Sequence, residues 1–168
     1  MLGVVHSINA FLPLLKAAAS TRVAKVITLS SGVGDPDAVR AFELGSQAPY
    51  AISKAAVNMV NAKYAATFVG QNFVFLAISP GLVDTSVRPR KYGPSPALVT
   101  TSQSLAATPK EIEQYQAMVK NFQLAYPDWD GKPITPETSV KLMLEVIHRW
   151  EVKDSGAFVS HFGNKKWL

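Results

Sequence analysis

Two residues capable of acid–base chemistry, Tyr50 and Lys54, stand four positions apart in the stretch APYAISKAAVNM, which has the composition of a helix. Residues four apart on a helix share one face, so the phenol and the ammonium would be neighbours. A free phenol, with a pKa of roughly 10, exchanges protons poorly at neutral pH, and a nearby positive charge lowers that pKa. The pair could therefore make Tyr50 a general acid or base. Taken alone, the spacing is also typical of any amphipathic helix.

The surroundings of this pair favour a catalytic cleft. A short apolar run rich in β-branched residues predicts a buried strand that ends in LSSG, residues 29–32. A second such run ends in SPGLVDT, residues 79–85. Because ligands bind at the carboxyl ends of parallel strands, both turns and the Tyr50/Lys54 helix are expected to meet at one edge of the sheet.

The positions of these elements predict a single α/β domain with a partial Rossmann-like parallel sheet of about three strands and flanking helices. Residues 31–48 are expected to be a loop, and a substrate lid is expected from residue 85 to about 125, with helix in its second half. The predicted strands are 24–30, 73–79 and 156–160, and the predicted helices are 2–19, 49–68, 108–125 and 135–150.

Composition limits the classes of function. The chain has 168 residues, 48% of them hydrophobic, a net charge of +5 and no cysteine, which excludes disulfides and thiolate metal sites. The three histidines are far apart in the sequence, so we expect no metal site. No nucleic-acid motif accompanies the basic residues. The apolar start of the chain is interrupted by polar residues and is interpreted as a core helix, with no membrane span expected and a signal peptide less favoured. A cytoplasmic location fits this composition.

The motifs of this chain, in their order along the sequence, resemble the C-terminal part of a short-chain dehydrogenase/reductase. The matching pieces cover nearly all of the chain: GVVHSINAFLPLL, VITLSSG, YAISKAAVNM, AISPGLVDT and the terminal SGAFVSHFGNKKWL. This resemblance implies an NAD(P)-dependent oxidoreductase acting on an alcohol/carbonyl pair.

The resemblance also implies roles for individual residues. Tyr50 would exchange the proton of the alcohol/carbonyl pair, and Lys54 would assist it and hydrogen-bond the nicotinamide ribose. Ser31 is preferred over Ser30 as the residue that positions the substrate oxygen, because the family's serine is commonly the second of such a pair. The remaining cofactor contacts would come from the stretch that cups the nicotinamide, namely Pro80, Gly81, Val83 and Thr85.

The sequence also departs from the family. The spacer between Ser31 and Tyr50 is longer than usual, and the glycine-rich phosphate loop, Gly-x-x-x-Gly-x-Gly, is absent. The interpretation is a truncated or partial form with impaired dinucleotide binding. Two alternatives stay open: a protein that uses the same cleft for non-redox acid–base chemistry or ligand binding, and a non-catalytic partner of a longer relative. A homodimer or such a heterodimer is expected through helices 2–19 and 49–68.

Overall fold

A computed structural model of the chain describes residues 2–84 and 109–168. The three strands form one parallel sheet in the order β1-β2-β3, with helices on both faces, so the predicted α/β class is confirmed. The strands are β1 (Ala24–Leu29), β2 (Phe73–Ser79) and β3 (Phe158–Ser160), and the helices are α1 (Leu2–Ala19), α2 (Pro36–Ala41), α3 (Ala48–Thr67), α4 (Pro109–Ala125) and α5 (Pro136–Arg149).

The central strand β2 is buried along its whole length because both of its faces are covered. Alternate side chains of a strand point to opposite faces. On one face, Phe73 and Phe75 pack against α1 and the end of α3. On the other face, Val74, Leu76 and Ile78 pack against α5. This run of seven apolar or small residues therefore forms the middle layer of a three-layer arrangement.

Local sequence signals explain where the elements begin and end. Thr135 caps α5 by accepting a hydrogen bond from the amide of Thr138, and a proline follows it in the first turn. The strand expected over residues 156–160 begins later, at Phe158, because Gly156 has a φ of +94° and departs from extended backbone.

The segment expected to be a loop up to residue 48 contains a helix, and that expectation was wrong. Asp35 accepts a hydrogen bond from the amide of Asp37 and so caps α2, which Pro36 begins. Six residues are too few to show helical periodicity, although the Asp-Pro pair is a helix-start signal. The longer spacer before Tyr50 is thus folded into a helical turn that packs onto the rest of the chain.

Helix α1 meets the length and hydropathy of a membrane-crossing helix, contrary to the expectation from its interrupting polar residues. A core helix that passes the same test is mostly buried, whereas only 6% of α1 is buried within this chain, although Ile8 and Ala19 belong to the cluster that packs on the sheet. The strand beneath it, β1, pairs only with β2 among the described residues, which leaves its other edge open.

Candidate active site

Helix α3 positions the turn that follows β1, which we call the serine loop (residues 30–34). The buried Ser30 hydroxyl donates to Oδ1 of Asn58 on α3 at 2.5 Å, and Asn58 Nδ2 donates to the carbonyl of Gly34 at 3.2 Å. Gly34 lies so close to α3 that an added Cβ would be 2.9 Å from the backbone of Lys54 and Ala55. The loop is thus held directly against the helix that carries Tyr50.

Ser31 differs from its neighbour in being available to a ligand. Its side chain is half-buried, does not cap the 3₁₀ turn that begins at Gly32, and makes no hydrogen bond within the described part of the chain. The Ser30 hydroxyl, in contrast, is occupied by Asn58. The geometry therefore gives an independent reason to prefer Ser31 as the residue that meets a substrate oxygen.

Tyr50 and Lys54 lie on one face of α3, near its start and next to the end of β1. The Lys54 ammonium is 5.7 Å from the centre of the Tyr50 ring and donates to the carbonyl of Leu29 at 3.0 Å. Tyr50 is 46% exposed, so its ring is open to solvent on one side. Lys54 therefore sits between the phenol and the strand end from which Ser31 follows.

A second turn at the same edge follows β2, and we call it the Pro-Gly loop (residues 80–84). Ser139 of α5 donates to the carbonyl of Pro80 at 2.7 Å. Val83 forms a parallel bridge with Ile134, whose amide donates to the carbonyl of Leu82 and whose carbonyl accepts from the amide of Asp84. Pro80, Gly81 and Val83 are thus fixed in place, whereas Thr85 lies outside the described residues.

Ser79, at the end of β2, connects the two loops. Its hydroxyl oxygen accepts from the amide of Gly32 at 3.1 Å and from the amide of Gly81 at 3.5 Å. Ser79 is buried, so these contacts are shielded from water. Ser79 therefore contacts both loops where β1 and β2 end.

His161 packs under the Pro-Gly loop. A Cβ on Gly81 would be 2.5 Å from its Cε1, and Gly81 has a φ of +84°. The ring is 2% exposed, and its Nδ1 is buried without a hydrogen-bond partner among residues 2–84 and 109–168. Burial lowers the pKa of His161 from its ordinary 6.5, so the imidazole is neutral at pH 7.

Trp167 packs under the serine loop in a corresponding way. A Cβ on Gly32 would be 3.1 Å from the indole ring, which itself lies against Phe158 with ring centres 4.9 Å apart. Lys165, two residues before Trp167, forms an ion pair of 2.7 Å with Asp35, which directly follows the serine loop. Burial raises the pKa of Asp35, but its bonds to Lys165 and to backbone amides outweigh this, so the net pKa is below 3.8.

A cavity of about 640 Å³ lies between α2, α3 and the end of the chain. Its lining is mostly apolar, and none of Ser31, Tyr50 and Lys54 lines it. Gly34 is part of its wall, so the cavity adjoins the serine loop. Its walls include Asp35, Phe42, Met59, Phe158, Lys165 and Trp167.

The structure brings the sequence-predicted residues Ser31, Tyr50 and Lys54 to one edge of the sheet, with the Pro-Gly loop beside them. The sequence interpretation missed Asn58, His161 and Trp167. Only Asn58 had a local signal, because it lies four residues after Lys54 and so on nearly the same side of the helix. His161 and Trp167 reach the site because the chain returns across the sheet, and no local sequence pattern predicts this.

Known proteins resemble this chain along its whole length. It is 42% identical over 170 residues to the short-chain dehydrogenase/reductase AacuF of Aspergillus aculeatus. It is 38% identical over 169 residues to the short chain dehydrogenase virK of Hypocrea virens. These alignments cover 100% and 98% of this chain but 56% and 54% of the two relatives. No family model matches.

Among solved structures, the NADPH-bound carbonyl reductase from chicken fatty liver has a TM-score of 0.65 at 24% identity. The alignment covers 98% of this chain and 52% of that one. At this identity the likeness shows the fold. Together with the sequence relatives and the parallel sheet, it leads to one assignment: the chain belongs to the short-chain dehydrogenase/reductase family and spans about half the length of the relatives it matches.

Proposed function

We propose that the chain carries the proton-transfer half of an NAD(P)-dependent oxidoreductase that interconverts an alcohol and a carbonyl compound. The observation that carries this proposal is the position of the Lys54 ammonium, between the Tyr50 ring and the carbonyl end of β1. A positive charge held there is suited to balance negative charge that develops on the phenol oxygen during proton transfer. Ser31 follows the same strand end and has a free hydroxyl among the described residues.

In the reductive direction, the Tyr50 hydroxyl donates its proton to the carbonyl oxygen while the carbonyl carbon accepts a hydride. Ser31 hydrogen-bonds that oxygen and orients it, and Lys54 stabilises the negative charge left on Tyr50. Oxidation of the alcohol runs through the same groups in reverse, with Tyr50 as the base. When bound, NAD(P)H supplies the hydride.

The residues present fit a nicotinamide at this edge. The positive φ of Gly81 turns the Pro-Gly loop sharply at the end of β2, and Ser79 holds this turn next to the serine loop. Lys54, Pro80, Gly81 and Val83 would hold the nicotinamide end, with Thr85 as the proposed partner of its carboxamide. The solved relative from chicken is described as binding NADPH and reducing carbonyl compounds, which supports this cofactor class.

We further propose that these 168 residues bind the dinucleotide weakly, as a partial form of the family. The sequence contains no Gly-x-x-x-Gly-x-Gly loop, and the chain spans about half of its relatives' length. Calorimetric titration of the purified chain with NADH and NADPH is expected to give weak or undetectable binding. Micromolar binding with a defined stoichiometry would contradict this part of the proposal, because it would show that the residues present suffice.

The chemistry itself is tested by label transfer, which tolerates weak binding. The chain is incubated at millimolar dinucleotide with NADPH or NADH deuterated at the nicotinamide C4, together with a panel of aldehydes and ketones. Mass spectrometry of the alcohol is expected to find deuterium on the former carbonyl carbon. Absence of label with every compound at millimolar dinucleotide would overturn the oxidoreductase and favour non-redox ligand binding.

We propose that the chain assembles as a homodimer, or with a longer relative, through α1 and α3. These helices expose large apolar side chains, with Ile52 68% and Met59 63% exposed. Light scattering of the purified chain at micromolar concentration is expected to give a dimer, and Ala62→Glu, on the exposed side of α3, is expected to dissociate it. A monodisperse monomer would contradict this. Co-purification with a longer homologue would identify the heterodimer.

A further inference from the structure

We infer that residues 160–168, which we call the tail, are a positioning element for both active-site loops. Trp167 fixes the serine loop and His161 fixes the Pro-Gly loop. The inference rests on the proposed function for its catalytic meaning, but the contacts that carry it are independent of any cofactor. Neither residue is placed in contact with the substrate, so both act through the loops.

Trp167 acts on the residue directly after Ser31. Its indole lies against Gly32 at distances that would leave a Cβ only 3.1–3.3 Å from three ring atoms. The ring is 7% exposed and its backbone amide donates to the hydroxyl of Tyr126 at 3.2 Å, so it has little freedom to move away. Gly32 is held on its other side by Ser79.

His161 acts on the residue after Pro80. Its Cε1 and Nδ1 would lie 2.5 and 2.7 Å from a Cβ at Gly81, so the imidazole edge occupies the space that a side chain would need. Nδ1 of the ring is buried and has no hydrogen-bond partner in the described part of the chain, so the imidazole contacts the loop by packing. Its position directly under the Pro-Gly loop gives the ring a role in shaping that loop.

The tail has a fixed shape of its own, which lets it act on both loops together. Ser160 donates from its amide to the carbonyl of Asn164 at 2.8 Å, and Gly163 donates back to the carbonyl of Ser160 at 2.8 Å. Lys165 then ties the tail to Asp35, and its ammonium lies 5.3 Å from the centre of the Trp167 ring. The tail is thus a rigid turn with one aromatic side chain under each loop.

Two consequences follow for catalysis. Ser31 stands between Ser30, which Asn58 holds, and Gly32, which Trp167 holds, so Trp167 determines where the Ser31 hydroxyl points. His161 determines the backbone path of the loop proposed to cup the nicotinamide. Disturbing Trp167 should therefore lower the turnover number, whereas disturbing His161 should weaken dinucleotide binding.

Hydrogen–deuterium exchange on the whole chain tests the inference without needing activity. Trp167→Ala is expected to speed exchange of the amides of residues 32, 34 and 35 by about tenfold or more and to leave residues 84 and 134 unchanged. His161→Ala is expected to do the reverse. Each of these amides donates a hydrogen bond. The bonds from residues 32, 34 and 35 involve the serine loop, and those from residues 84 and 134 join the Pro-Gly loop to the segment before α5.

Matched controls and a conservative variant make the result specific. His148→Ala, at an exposed residue of α5, removes the same side-chain type as His161→Ala and should leave both loops unchanged. Trp167→Phe keeps an aromatic face against Gly32 and should restore slow exchange. If an alanine variant does not fold, Trp167→Leu and His161→Leu, which fill most of the space without a ring, carry the same comparison.

The outcomes separate this inference from the proposed function. Unchanged exchange in both loops, or an equal rise across the whole chain in both variants, would overturn the tail's role. Loop-specific exchange without label transfer by the unmodified chain would support the tail's role and overturn the oxidoreductase. In a chain that transfers label, Trp167→Ala should lower kcat at an unchanged dinucleotide KM, and His161→Ala should raise that KM at an unchanged kcat.

Discussion

Tyr50→Phe is expected to lower the rate of label transfer to the carbonyl compound by about 10²- to 10⁴-fold, the usual contribution of a positioned general acid. The change removes the hydroxyl that donates the proton and keeps the ring beside Lys54. Because the ring is 46% exposed, its loss of one oxygen should not disturb the fold. The measurement is the label-transfer rate at fixed dinucleotide and substrate concentrations, with circular dichroism to confirm folding.

The chain supplies a matched control in Tyr64→Phe. Tyr64 lies on the same helix, and its hydroxyl donates to Asn9 Oδ1 at 2.6 Å, far from the serine loop. Its replacement should cost about 1 kcal/mol of stability at most and leave the rate unchanged. Lys54→Met should lower the rate in the same direction as Tyr50→Phe, and an active Tyr50→Phe chain would remove Tyr50 from the mechanism.

Gly81→Ala is expected to reduce the free energy of unfolding by about 3 kcal/mol or more. The φ of +84° costs an alanine about 1–2 kcal/mol. The new methyl group would also collide with His161, which is buried and cannot swing into solvent, and such overpacking typically costs about 1–3 kcal/mol. The measurement is the urea midpoint and slope of unfolding.

Gly70→Ala separates these two contributions. Gly70 has a φ of +76°, but nothing lies within 4 Å of a Cβ built there, so only the backbone strain applies. The difference between the two variants therefore measures the contact with His161. The double variant Gly81→Ala/His161→Ala should recover part of the stability that Gly81→Ala loses through this contact. A Gly81→Ala chain as stable as the Gly70→Ala chain would show that this contact is loose.

The sheet was predictable from the sequence because its strands are short apolar runs separated by strong turn signals. Residues 73–79 are the clearest case, since the predicted and observed bounds of β2 agree. Helix starts were also predictable, as at Thr135, where a capping residue precedes a proline. The short α2 was not, because one and a half turns carry too few residues for a period to show.

Only those parts of the candidate site that follow from a single helix or strand end were predictable from the sequence. Tyr50 and Lys54 share a helix, and Ser31 follows a strand, so period and topology place them at one edge. The contacts of Trp167 with Gly32 and of His161 with Gly81 join residues 135 and 80 positions apart. No composition or spacing within a window of sequence reports such contacts, because they depend on how the chain returns across the sheet.

The place of the tail along the chain has a consequence for synthesis. Residues 158–168 leave the ribosome after Ser31, Tyr50, Lys54 and the Pro-Gly loop have all emerged. Until then β2 lacks its neighbour β3, and neither loop has its aromatic support. A nascent chain thus carries every proposed reactive group in an unassembled state, with apolar surface exposed. We therefore expect the groups proposed to transfer the proton to reach their final positions only after the tail has docked.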